Sequence, residues 1–433
     1  MNNLKVSIPA QTVAAESNKL HNRLPRTSGC KLLSDLHEEP TEVAAHFPEP
    51  DNWPQIRRSL LQTRLDDIVL QLSLTHQSRR SPEAFPTDLA RSIFTVQNLK
   101  GFAWAFFYRL SPTCPIFHLP TFRLGSTSSR LLLVIFLDGS LVSAPCDDAL
   151  SARQFFEVAE EYIFDHEIFK HGKLKPGNNE FETLLAAWLM YMMQAHAGDS
   201  ETRRRILARR HPDFVKVVKA CGLLSIRHEF PLEFGRMSDW ETFVSIEQWV
   251  SPLHLDVSDV IVNLPCGKAL FDAESAAEFE RLAPSERTSQ RPTCLRDLIH
   301  CLRKDSWLNP GSEKYKSVTV LHLLMAISVL CAHSYEARVN PTSRRDLNQI
   351  LGMSGHWKLL WDEVIKAEHG EYKSHNCFME HADELWLLLR MVIKQFQRGE
   401  SDDPYVKGTA ADSFDHFNDF LNRLTKDEIS FSH

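Results

Sequence analysis

A chain of 433 residues with 43% hydrophobic and 24% charged residues carries enough apolar side chain for one large domain or two smaller ones, which excludes a chain unstructured throughout. Its net charge of -7 gives no bulk attraction to a phosphate backbone, so nucleic-acid binding over a wide basic surface is excluded as well. The nine cysteines include no CxxC pair, which argues against a zinc finger, a zinc ribbon or a thioredoxin-type centre and leaves free thiols in a reducing intracellular compartment as the expectation.

Residues 1–54 are polar and turn-rich and close on HFPEPDNWP, whose prolines forbid a regular helix, so a disordered tail or linker is expected there. The helical pattern begins after it. In Ile56–Leu72 the residues Leu60, Leu61, Leu65, Ile68 and Leu72 recur at three- and four-residue steps and are expected on one buried face. Val96–Leu110 repeats the pattern with Leu99, Phe102, Phe106 and Leu110. Next comes CPIFHLPTF, Cys114–Phe122. Pro115 and Pro120 favour a turn, and His118 is expected to tie that turn down by hydrogen bonds rather than join Cys114 on a metal.

Further helices are expected over Ser129–Ala144, Asp147–Phe169 and Glu180–Asp199. Another starts with Asp199 or Ser200 as N-cap and is broken or kinked at Pro212. It carries Arg203, Arg204, Arg205, Arg209 and Arg210, the one cluster basic enough for a nuclear address or a phosphate patch. Arg205 and Arg209 stand one turn apart, so a solvated face explains the cluster equally well. Asp256–Pro265 is the nearest approach to a period-two strand, whereas Lys314–Val339 and Phe378–Gln397 have the length of helices. The apolar run Ser317–Cys331 falls short of the roughly 18–20 residues that cross a bilayer and contains His322, so burial in a core is expected.

Two stretches imitate catalytic motifs without meeting their geometry. HEIFKH sets His166 and His171 five apart, off the four-residue step of a zinc-protease pair, and GMSGH has His356 where a nucleophile elbow needs glycine. The acidic segment 399–433 places Phe414, Phe417, Leu421 and Leu424 at helical steps, which suits a short amphipathic helix docked on the body or an acidic activation region. The expected fold class is all-α, a large multi-helix domain over 55–398.

Taken in order, these segments resemble the regulatory (middle homology) region of fungal-specific transcription factors, of the branch often joined to two-Cys two-His zinc fingers. CPIFHLPTF resembles that family's Pro-Ile-x-His-x-Pro-Thr-Phe landmark after an aromatic helix, here FAWAFFYRLSP. RLLLVIFLDGSLVS, TLLAAWLMYMMQAHAGD, ARRHPDFVKVVKACGLL, LPCGKALFDAESAAEFE and EHADELWLLLR follow in the family's order, so the resemblance covers residues 98–398. It implies a nuclear, non-enzymatic regulator of RNA polymerase II transcription that acts through the transcription machinery or coregulator proteins, as a monomer or a dimer, with no membrane contact. The family's zinc belongs to a separate finger module. No finger spacing occurs here, so DNA is expected to be reached only indirectly or through a missing module. Between Glu247 and Leu264 the chain is also shorter than the family by one helix. The alternative is an α-helical interaction scaffold derived from such a factor and lacking DNA binding.

Overall fold

The computed structural model describes residues 55–79, 83–109, 116–144, 146–171, 178–223, 237–250, 264–287, 292, 294–340, 346–367, 382–399 and 404–407. These are helical with short turns, and no β-strand occurs among the described residues, so the all-α expectation holds. The expected tail over 1–54, the alternating run at 256–265, Cys114, Pro115, His381, which like His118 is expected to make structural hydrogen bonds, and the aromatic positions of the acidic segment lie outside the described residues or at their edge.

The first core is built by α1 (Gln55–Ser78), α2 (Thr87–Ile93), α3 (Val96–Arg109), α4 (Ser129–Val142), α5 (Asp147–Ala152), α6 (Phe156–Phe164), α7 (Glu167–His171) and α8 (Asn178–Ala197), joined from farther along the chain by Phe214, Val217, Val218 and Leu223. On α1, Leu61, Leu65, Ile68 and Leu72 are buried as their spacing predicts, and Val69 completes the face. Leu60 does not belong to it. It is 50% exposed, because a step of about 100° carries it past the edge of the stripe that Leu61 begins. On α3, Leu99, Phe102 and Phe106 are buried; Leu110 lies outside the described residues.

Helix α4 is the centre of this core: every residue from Leu131 to Ser140 is buried. Its closest approach to α3 is set by Gly139. A Cβ there would stand 2.0 Å from the Phe102 carbonyl oxygen, so only glycine lets the two backbones meet. The single helix expected over Asp147–Phe169 is instead broken by a 3₁₀ turn at Arg153–Phe155 and again before Glu167. Adjacent Phe155 and Phe156 are both buried, which one straight helix lying on a surface does not achieve.

Beyond α8 the chain forms α9 (Ser200–Arg205), a π-helical turn over Ile206–Arg210, and α10 (His211–Ala220). Gly222, at φ +70°, closes α10 in the left-handed conformation and donates its N–H to the Lys219 carbonyl. A small third cluster follows, Trp240, Phe243 and Val244 of α11 (Met237–Val250) against Leu270 of α12 (Lys268–Phe271), Ala273, and Phe279 and Ala283 of α13 (Ala276–Arg287).

The second core consists of α14 (Leu295–Cys301), α15 (Val320–Val339), α16 (Leu347–Ala367) and α17 (Ala382–Arg398), extended by α18 (Pro404–Lys407). Helix α15 starts at Thr319 in a capping box with His322 and runs for 20 residues. That is longer than the uninterrupted apolar run predicts, and by length and composition it suffices to cross a membrane. Here it serves as the central helix of the core, with Leu323, Ala326, Ile327 and Leu330 buried against its neighbours. Indole groups tie these helices together: Trp357 Nε1 of α16 donates to the Leu323 carbonyl of α15 at 2.8 Å, and Trp386 Nε1 of α17 to the Ser354 carbonyl of α16 at 2.8 Å.

Candidate functional site

The basic cluster is positioned by the helix start at Asp199, whose Oδ1 accepts the Thr202 N–H at 2.8 Å. Pro212 has no N–H to return to the preceding turn, and the helix answers by widening ahead of it. The His211 N–H reaches back five residues to the Ile206 carbonyl. This wider turn changes which arginines share a side. In a regular helix Arg205 lies above Arg209; with the π turn it meets Arg210.

Both close on Glu160 of α6, whose side chain is 0% exposed. Arg205 Nη2 lies 2.7 Å from Oε2 and Arg210 Nε 2.7 Å from Oε1. Around this pair Arg210 Nη2 reaches Glu161 Oε1 at 2.7 Å, and Arg205 Nη1 and Arg79 Nη2 both reach Glu157. Burial alone would lower the pKa of Arg210, but its bonds to Glu160 and Glu161 outweigh that and raise it. Arg203 Nη1 donates to the Gly198 carbonyl at 2.5 Å, while Arg204 and Arg209 are exposed. Apart from Arg203, which holds the end of the preceding helix, the arginines do two jobs. Arg205 and Arg210 neutralise a core carboxylate, and Arg204 and Arg209 are left to present charge to solvent.

The second polar arrangement gathers around the segment from Leu264 to Ala273. His118 is 0% exposed; its Nε2 lies 3.1 Å from the Ala273 carbonyl and its Nδ1 2.8 Å from Thr121 Oγ1. A carbonyl only accepts, so Nε2 carries the proton and Nδ1 receives the Thr121 hydroxyl. Trp240 and Phe271 pack edge-on to the ring with centroids at 5.6 and 5.5 Å, and burial lowers its pKa, so the imidazole is neutral. His322 of α15 repeats the arrangement, with Nε2 at 2.8 Å from the Pro265 carbonyl and Nδ1 accepting the Thr319 N–H at 3.0 Å. Between them the buried Glu247 of α11 accepts the Cys266 N–H at 3.0 Å. One short segment is thus clasped by side chains from the first core, from α11 and from the second core. The tie expected of His118 exists, and it reaches 155 residues along the chain as well as across its own turn.

A third site is one that sequence reasoning overlooked. Asp138, in the middle of α4, is 7% exposed, makes no hydrogen bond or ion pair among the described residues, and is pushed by burial to a pKa of about 7. The signal for it was the lone carboxylate in the most apolar helix of the first core. Glu160 was overlooked in the same way. It stands four residues from Phe156 and three from Ile163, at a core register position.

The motif-like stretches resolve differently. GMSGH lies inside the continuous helix α16, where Ser354 Oγ donates to the Leu351 carbonyl and Arg390 Nη1 approaches it at 3.1 Å; there is no elbow. His171 pairs with Glu167 at 2.9 Å, and His166 Nδ1 accepts the Ile168 N–H. Among the described residues no group of three or more His, Cys, Asp or Glu side chains is arranged to hold a metal ion, so the finger-type zinc of the resembled family has no fitting residues there.

Comparison with known proteins gives the following. No family model matches the chain, and no solved structure matches it. It is similar to the transcription factor verF of Penicillium polonicum, 23% identical over 355 residues, which is 70% of this chain and 48% of that protein. It is also similar to a nicotinate catabolism cluster-specific transcription factor of Emericella nidulans, 23% identical over 279 residues, 56% of this chain and 30% of that protein. The chain spans half the length of the first of these relatives or less.

Proposed function

We propose that this chain is the helical regulatory module of a fungal transcription regulator, of the middle homology type, acting in the nucleus on RNA polymerase II transcription through coregulator contacts. The similarity over 355 residues to a protein named as a transcription factor carries the reading. The all-helical character of the described residues supports it, since an all-α body is what the resemblance implies. The polar groups also support contact rather than turnover. Arg205 and Arg210 are engaged in ion pairs with Glu160, and His118 and His322 spend their ring nitrogens on carbonyls, a hydroxyl and a backbone N–H. Specific DNA recognition would come from a finger module outside this chain. Arg204 and Arg209, with Arg203 beside them, would serve as the nuclear address.

In this reading the clasped segment Leu264–Ala273 is the joint through which a change at one core is felt at the other. The experiment is to tether the chain to a foreign DNA-binding domain in a fungal host and read a reporter. A change in transcription under at least one growth condition is expected, and no change under any condition would overturn the proposal.

A further inference from the structure

Helix α1 is apolar on two opposite faces. Leu61, Leu65, Ile68, Val69 and Leu72 enter the first core, yet Ile56, Leu60, Leu70 and Leu74 are 84, 50, 55 and 49% exposed. At 100° per residue these four fall within about 80° of arc, directly opposite the buried face. With Thr63 and Asp67 they form an unbroken seam at steps of four, three, four, three and four residues, the spacing of a two-helix coiled coil. Asp67 makes no hydrogen bond or ion pair among the described residues, and the Thr63 hydroxyl donates only to its own helix, to the Ser59 carbonyl at 3.0 Å.

We propose that this stripe is a self-association surface on which α1 pairs antiparallel with α1 of a second copy of the chain. What selects that occupant is the palindrome. The step pattern reads the same in both directions, and so does the chemistry. About a two-fold axis at the level of Leu65, Ile56 faces the second copy's Leu74, Leu60 faces Leu70, and Thr63 faces Asp67, whose carboxylate accepts the threonine hydroxyl. An isologous contact requires a surface that is its own complement, and this one is. In a parallel pair the two Asp67 carboxylates would instead meet each other. The four exposed side chains offer on the order of 400 Å² of apolar surface per copy, at the scale of patches that mark contact sites. The polar flanks of a seam about 27 Å long bring the contact toward a standard interface. The proposal goes beyond the transcription reading and does not depend on it.

Sedimentation of the full chain between about 1 and 100 μM tests it, with a dimer of Kd about 10 μM or tighter expected. Leu60→Glu with Leu70→Glu is expected to weaken the dimer at least about tenfold while leaving the thermal melt of the monomer unchanged, because both side chains are already half-exposed. Thr63→Lys fixes the direction: it meets Asp67 twice in the antiparallel pair and tightens the dimer, whereas in a parallel pair lysine meets lysine and loosens it. A wild-type chain that stays monomeric at about 100 μM, a dimer indifferent to the paired glutamates, or a dimer loosened by Thr63→Lys would each overturn the proposal.

Discussion

Asp138 shows what one side chain can cost in a helix that is otherwise entirely apolar. Its carboxyl is protonated in the folded state up to a pKa of about 7, against 3.8 when exposed, so the folded state binds the extra proton between those limits. Stability therefore falls as pH rises from 3.8 toward 7, and above 7 the full penalty of a buried, unpaired carboxylate applies, at most about 4 kcal/mol. Asp138→Asn is expected to raise the melting temperature at pH 8 and to leave it nearly unchanged at pH 4. Thermal denaturation at both pH values checks this, and an equal effect at both would refute the assignment. The sign is opposite for His118. Burial lowers its pKa, so the unfolded chain takes up a proton first, and the stability that the neutral ring supplies is lost as pH falls below about 6.5.

At the scale of one element, the π turn decides what the arginine cluster does. Sequence spacing places Arg205 with Arg209, but the missing N–H of Pro212 widens the helix and delivers Arg210 to Glu160 instead. Glu160 keeps Arg205 when Arg210 is removed, so the buried carboxylate is left half-compensated rather than alone, and the loss of the charged contacts to Glu160 and Glu161 costs about 2 kcal/mol. Arg210→Ala is thus expected to lower stability by about that amount. Arg209→Ala, on the exposed side, should stay within about 0.5 kcal/mol of wild type. Chemical denaturation of the two variants tests the division, and equal losses would mean that Glu160 is not held as described. The same element-level logic explains α1: one face was needed for the core, and the apolar residues left over lie opposite it.

Across the whole molecule, two helical cores and a small aromatic cluster meet at a segment ten residues long, Leu264–Ala273, held by His118, Glu247 and His322. His118→Phe keeps a ring between Trp240 and Phe271 while removing both hydrogen bonds and leaving the Ala273 carbonyl without that donor. We expect calorimetry of this variant to resolve two unfolding transitions where the wild type shows one, since the tie between the first core and the segment is lost. A single transition at an unchanged temperature would argue against coupling through the clasp.

The helical class and, Leu60 aside, the buried faces of α1 and α3 were legible in the sequence because a 3.6-residue period in apolar side chains is a local property of the chain. The Asp199 cap and the effect of Pro212 were legible for the same reason: each acts within one turn. What His118 grips was not legible, because its partner, Ala273, lies 155 residues away and nothing in either stretch names the other. Nor was the pairing of Arg210 with Glu160, since a proline-widened turn has to be built before its register is known. Periodicity and capping belong to neighbours along the chain and can be read there, whereas burial of a lone charge and the choice of its partner depend on which helices pack together, and only the tertiary structure decides that.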